Sequence, residues 1–78
     1  MKRLLGGQAD ADIAFEDLRS LLERLGFHER VRGDHYIFTR DGIVEIINLQ
    51  PDNGKAKPYQ VKQVRNLLRK YALDEDGE

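Results

Sequence analysis

The chain has no cysteine, no tryptophan, two prolines and one serine, Ser20. Without cysteine there is no disulfide framework and no thiolate zinc site. A small secreted domain normally needs such staples, so a cytoplasmic protein is expected. Ser20 falls in a helical pattern rather than on a strand-to-helix turn, which leaves no serine nucleophile elbow. Two histidines, with no paired carboxylates at ligand spacing, make a poor metal shell, and no cofactor is expected. Gly54-Lys55-Ala56-Lys57 lacks the second glycine and the hydroxyl of a phosphate-binding P-loop. Long apolar runs are missing too. Met1-Lys2-Arg3-Leu4-Leu5-Gly6-Gly7 is basic but has two leucines before its glycines, too few for a signal-peptide core or a membrane span.

What is present amounts to one small domain. A chain of 78 residues buries about 60–65% of the surface its unfolded form exposes, enough for one modest core. Its net charge of −1 hides an asymmetry. Four acids crowd into residues 74–78, whereas residues 53–73 carry Lys55, Lys57, Lys62, Arg65, Arg69 and Lys70 against no acid. A one-sided basic element of this kind fits a polyanion-binding surface, and it equally fits a solvated helix face. Residues 1–12 read as a flexible lead-in, 13–73 as the folded domain and 74–78 as an acidic disordered tail.

Asp12 is placed to cap a helix whose Phe15, Leu18, Leu21, Leu22 and Leu25 recur at helical spacing. Gly26 is positioned to end it in a left-handed conformation. Three strands follow, over 29–32, 35–40 and 44–49. Gly33-Asp34 makes a two-residue turn with glycine first, which predicts a positive φ at Gly33, and Asp41-Gly42 is a strong hairpin signal. Pro51-Asp52-Asn53-Gly54 ends the sheet, and Pro58 suits the first turn of a second helix. Val61, Val64, Leu67, Leu68 and Tyr71 form that helix's apolar stripe, with Lys62, Arg65 and Arg69 on a separate one. The predicted architecture is α+β, helix–strand–strand–strand–helix around an antiparallel sheet. Tyr36-Ile37-Phe38 and Ile43-Val44-Glu45-Ile46-Ile47 do not alternate cleanly, so both sheet faces carry apolar groups. Two helices cover one face; the other is left for a partner or a second copy of the chain.

The strongest chemical candidate is His35, directly after the Gly33-Asp34 turn. Histidine exchanges protons near neutral pH. RNA is cut when a base removes the 2′-hydroxyl proton and that oxygen attacks the adjacent phosphate, and acid–base help of this kind is worth about 10²–10⁴-fold. Arg30, Arg32 and Arg40 lie on the same hairpin and are candidates to hold phosphate or steady its developing charge. Lys57, Lys62 and Arg65 are the matching candidates on the last helix and the loop before it. A surface histidine without a task is the plain alternative for His35, and His28, at the helix-to-strand corner, reads as structural or solvated.

The run Phe15-Glu16-Asp17-Leu18 through Leu21-Leu22-Glu23-Arg24-Leu25-Gly26-Phe27 resembles the opening of HicA-type toxins, small messenger-RNA interferases of bacterial toxin–antitoxin pairs. The resemblance continues through Arg32-Gly33-Asp34-His35-Tyr36-Ile37-Phe38 and through Lys55-Ala56-Lys57-Pro58-Tyr59-Gln60-Val61-Lys62-Gln63-Val64-Arg65. It spans roughly residues 13–73, and it implies a fold like a double-stranded-RNA-binding domain. It further implies ribosome-independent endoribonuclease activity, with His35 as the single catalytic residue, and a HicB-type antitoxin that covers the site. The family's usual serine between the turn glycine and the histidine is Asp34 here, and its frequent second histidine is Tyr36. The expected function is therefore an RNA-cleaving toxin. A non-catalytic RNA-binding module of the same fold is the alternative, and a pure protein-interaction domain the third reading.

Overall fold

The computed structural model describes residues 12–73. Their elements are α1 (Phe15–Arg24), β1 (His28–Arg32), β2 (His35–Arg40), β3 (Ile43–Leu49) and α2 (Pro58–Lys70). This is the α+β class and the element order expected of a double-stranded-RNA-binding-domain-like fold. The tail over 74–78 and all of the lead-in except Asp12 lie outside the described residues.

α1 does not begin as its sequence suggests. Its N-cap is Ala14, whose methyl cannot accept a hydrogen bond, and the Phe15 N–H is satisfied by the Gly54 carbonyl at 2.9 Å. Asp12 pairs instead with Lys55 Nζ at 3.0 Å. The cause is the loop after β3. Asn53 and Gly54 both take positive φ, 52° and 77°, and Asp52 and Lys55 exchange backbone hydrogen bonds at 2.9 Å. That is the pattern of a type I′ turn, for which Asn-Gly is well suited. The turn brings Lys55 and Ala56 back beside Ile13 and Ala14, so the helix start is capped by distant backbone.

Both helices end alike. After α1, Gly26 stands at φ +90°, its N–H bonded to the Glu23 carbonyl and that of Phe27 to Leu22. This six-residue closure satisfies carbonyls the helix would leave orphaned. After α2, Ala72 takes the equivalent place at φ +55°, with Leu73 N–H on the Leu68 carbonyl at 2.8 Å. Pro58 opens α2 at its first position, as expected.

The strands form one antiparallel sheet in the order β1-β2-β3. Arg32 pairs with His35 across Gly33-Asp34, and Arg40 with Ile43 across Asp41-Gly42. Gly33 has φ +60° while Asp34 keeps a negative one, as a II′ turn with glycine first requires. The β2–β3 register shifts between Phe38 and Arg40, an irregularity that bends the pair near its hairpin.

Because side chains alternate along a strand, this register sorts the sheet into two faces. Tyr36, Phe38, Ile47 and Leu49 point to one side, where they join Phe15, Leu18, Leu21, Leu22, Val61, Val64 and Leu68 in a single core. The Phe15 and Tyr36 rings meet edge to face at 4.8 Å between centroids. The other face carries His28, Arg30 and Arg32 from β1, His35, Ile37 and Thr39 from β2, and Val44, Ile46 and Asn48 from β3. Val44 is 86% exposed and Ile46 66%. Apolar groups on both faces are thus as read from the sequence, although burial in β3 alternates cleanly.

Candidate active site

The Gly33-Asp34 turn delivers His35 to the first position of β2 on the uncovered face. Half of its side-chain surface is open to solvent. Asn48 belongs to the same face, one repeat along, and its Oδ1 stands 3.3 Å from His35 Nδ1. On the turn side, Asp34 Oδ1 lies 3.8 Å from His35 Nε2.

Asp34 is itself anchored. Gln50 Nε2 donates to its Oδ2 at 2.6 Å, and the Gln50 backbone N–H donates to Gln60 Oε1 at 3.3 Å. Gln60 is 7% exposed in the first turn of α2, so the chain from Asp34 ends in the packed interior. The Gln50 hydrogen bond, then a backbone hydrogen bond and the charge of nearby Lys57, hold the Asp34 carboxyl below the usual carboxylate range. The site therefore comprises a reachable imidazole, an amide oxygen on one ring nitrogen and a fixed carboxylate near the other.

The expected phosphate-binding residues divide. Arg30 and Arg32 share the open face with His35, Arg32 directly opposite it, and no carboxylate stands on this face along the three strands. Lys57, the N-cap of α2, acts on Asp34 at the turn side of the site. Arg40 does not join them. It alternates onto the covered face, about 17 Å along the strand from His35 at ~3.3 Å per residue, and its guanidinium lies against Gly26. Lys62 is exposed, but on α2, behind the covered face. Arg65 is buried, 7% exposed, and so does not belong to the exposed basic stripe in which the sequence placed it. Its long apolar stem widens the helix's buried stripe beyond the valines and leucines.

A concavity of about 480 Å³ between α1 and β1, with Glu16, Arg19, Glu23 and His28 in its lining, lies apart from His35. Arg19 is spent there on Glu29 and Glu16, at 2.7 and 2.8 Å, and stacks on Tyr36 at 4.8 Å. These contacts hold its guanidinium charged and the Glu29 carboxyl below its ordinary range. A groove lined with carboxylates and a neutralised arginine is a poor seat for a polyanion.

Asn48, Gln50 and Gln60 were not foreseen. The signal was faint: Asn48 and Gln50 are polar residues at the end of an apolar strand, although the Asp41-Gly42 hairpin sends Asn48 to the face of His35 in either register. Among the described residues no group of three histidine or carboxylate side chains could hold a metal ion, and no helix is long and apolar enough to cross a membrane. A family model described as the HicA toxin of bacterial toxin–antitoxin pairs matches residues 15–72. No curated protein and no solved structure matches the chain significantly.

Proposed function

Because the chain belongs to the HicA family, the toxins of bacterial toxin–antitoxin systems, we propose that it is an endoribonuclease that cleaves messenger RNA with His35. The observation that carries this reading is the placement of His35: solvent-open, opposite Arg32 and beside Arg30, on a face whose strands carry no carboxylate. In the proposed reaction His35 removes the proton of a 2′-hydroxyl. That oxygen attacks the adjacent phosphorus, the bond to the 5′-oxygen breaks, and the leaving oxygen takes up a proton. Arg30 and Arg32 supply positive charge where the phosphorane builds up negative charge. Lys57, at the turn side, extends the basic track.

The family implies an antitoxin partner. We assign it the HicB type and seat it on the open face, where Val44 and Ile46 offer apolar area next to the basic residues. The same stripe suits a second copy of the chain. Substrate and antitoxin both place the work in the cytoplasm. Induced expression in a bacterial host tests the reading. The wild type should arrest growth and deplete messenger RNA, whereas His35→Ala, produced at the same level, should do neither. Growth arrest by His35→Ala at the wild-type level would refute the assignment and favour a binding module that acts without cutting.

A further inference from the structure

His35 has two ring nitrogens, and they are not equivalent in this fold. Nδ1 faces Asn48 Oδ1 at 3.3 Å, while Nε2 has Asp34 Oδ1 at 3.8 Å, and half of the side chain is open to solvent. A carbonyl oxygen can only accept a hydrogen bond. The contact therefore forms when Nδ1 carries the proton, which leaves the lone pair on Nε2. A free histidine side chain in water prefers the opposite tautomer, so an acceptor held at Nδ1 works against that preference.

Building on the catalytic reading of His35, we propose that Asn48 is the positioning residue of the site, fixing the Nδ1–H tautomer so that Nε2 is the nitrogen that removes the 2′-hydroxyl proton. Asn48 is well placed for this. It projects from β3, which is paired along β2, and stands on the same face as His35, so its position is set by sheet hydrogen bonds rather than by a loop. Asp34 completes the arrangement from the other side. Its carboxylate is also an acceptor, but at 3.8 Å it stands beyond hydrogen-bond distance of Nε2, so the tautomer is left to Asn48, while its charge attracts the imidazolium formed once Nε2 has taken a proton. Gln50, held by Gln60, keeps that carboxylate near the ring. The order resembles other sites in which a base is oriented by a hydrogen bond to its second nitrogen.

The test pairs Asn48→Leu, which removes the acceptor, with Asn48→Asp, which keeps one. Asn48 is exposed, so both variants should fold. Nitrogen-15 shifts of the His35 ring, assigned against His35→Ala, report the tautomer without reference to activity. Cleavage of an RNA transcript made in vitro reports kcat and KM separately. The wild type should show the Nδ1–H form. Asn48→Leu should lose it, with kcat falling about 10-fold or more, part of the 10²–10⁴ that general base catalysis supplies, and KM nearly unchanged. Asn48→Asp should keep both the tautomer and most of the rate. A wild type in the Nε2–H form, or Asn48→Leu cutting at the wild-type rate while His35→Ala is inactive, would overturn the positioning role and leave the catalytic reading intact. Cleavage by His35→Ala at the wild-type rate would overturn both.

Discussion

Phe38 and Ile47, on one side of the sheet, are 1% and 6% exposed; Val44 and Ile46, on the other, are 86% and 66% exposed. These residues share strands and chemistry and differ only in which way the pleat turns them. On the covered side, each large side chain withdrawn from water stabilises the fold by about 1.5–3 kcal/mol. On the open side that gain is forgone, and the space is occupied by Arg30, Arg32, His35 and Asn48. A two-helix domain covers one face, and the second is free to be chemical. The division also explains why the open face sits so close to the core: the anchor of Asp34 runs through Gln50 to the buried Gln60 within one turn of α2.

The contrast is sharpest at Phe38. Replacing it with Ala should cost about 3–5 kcal/mol, a large part of the stability of a domain this small, and a urea titration should show a much lower midpoint or no folded baseline. A cost below about 1 kcal/mol would mean that this face is not where the fold is held together.

Gly33 links the two faces, because its turn puts His35 on one and Tyr36 on the other. A Cβ there meets nothing within 4 Å, so the cost of Gly33→Ala is backbone strain at φ +60° rather than a clash. It should destabilise by about 1–2 kcal/mol and reduce cleavage by moving the imidazole. Thermal melts beside a cleavage assay check this, and a variant with wild-type stability would show that the turn does not need its positive φ.

The smallest effect belongs to the open face. Val44→Thr and Ile46→Thr keep β-branching and should each change stability by no more than about 0.5 kcal/mol. A larger loss, measured by the same melts, would show that the stripe is covered in the folded protein, by a second copy for instance, and dilution would then lower the midpoint.

Much of the comparison was legible in the sequence because its signals are local. Gly26, Gly33-Asp34, Asp41-Gly42 and Pro58 set element boundaries through their own backbone preferences, and His35 followed from one of those turns. What was not legible depends on distant parts of the chain. Asp12 looked like a cap because nothing nearby announced that Gly54 would return to serve α1. Arg40 looked like a neighbour of His35 because a hairpin brings its strands together, yet the pleat sends residues 35 and 40 to opposite faces. Arg65 read as exposed from its charge, while the width of the packed stripe on α2 buries it. Gln50 bridges Asp34 and Gln60, which are far from it in sequence, so nothing local announced it.

The most direct test of this division uses purified wild type and His35→Ala on the same RNA transcript, with a thermal melt of each. If the open face does chemistry that the fold does not depend on, cleavage should fall at least about 10²-fold while the two melting midpoints coincide. A His35→Ala protein that melts like the wild type and cuts RNA at the same rate would contradict the account.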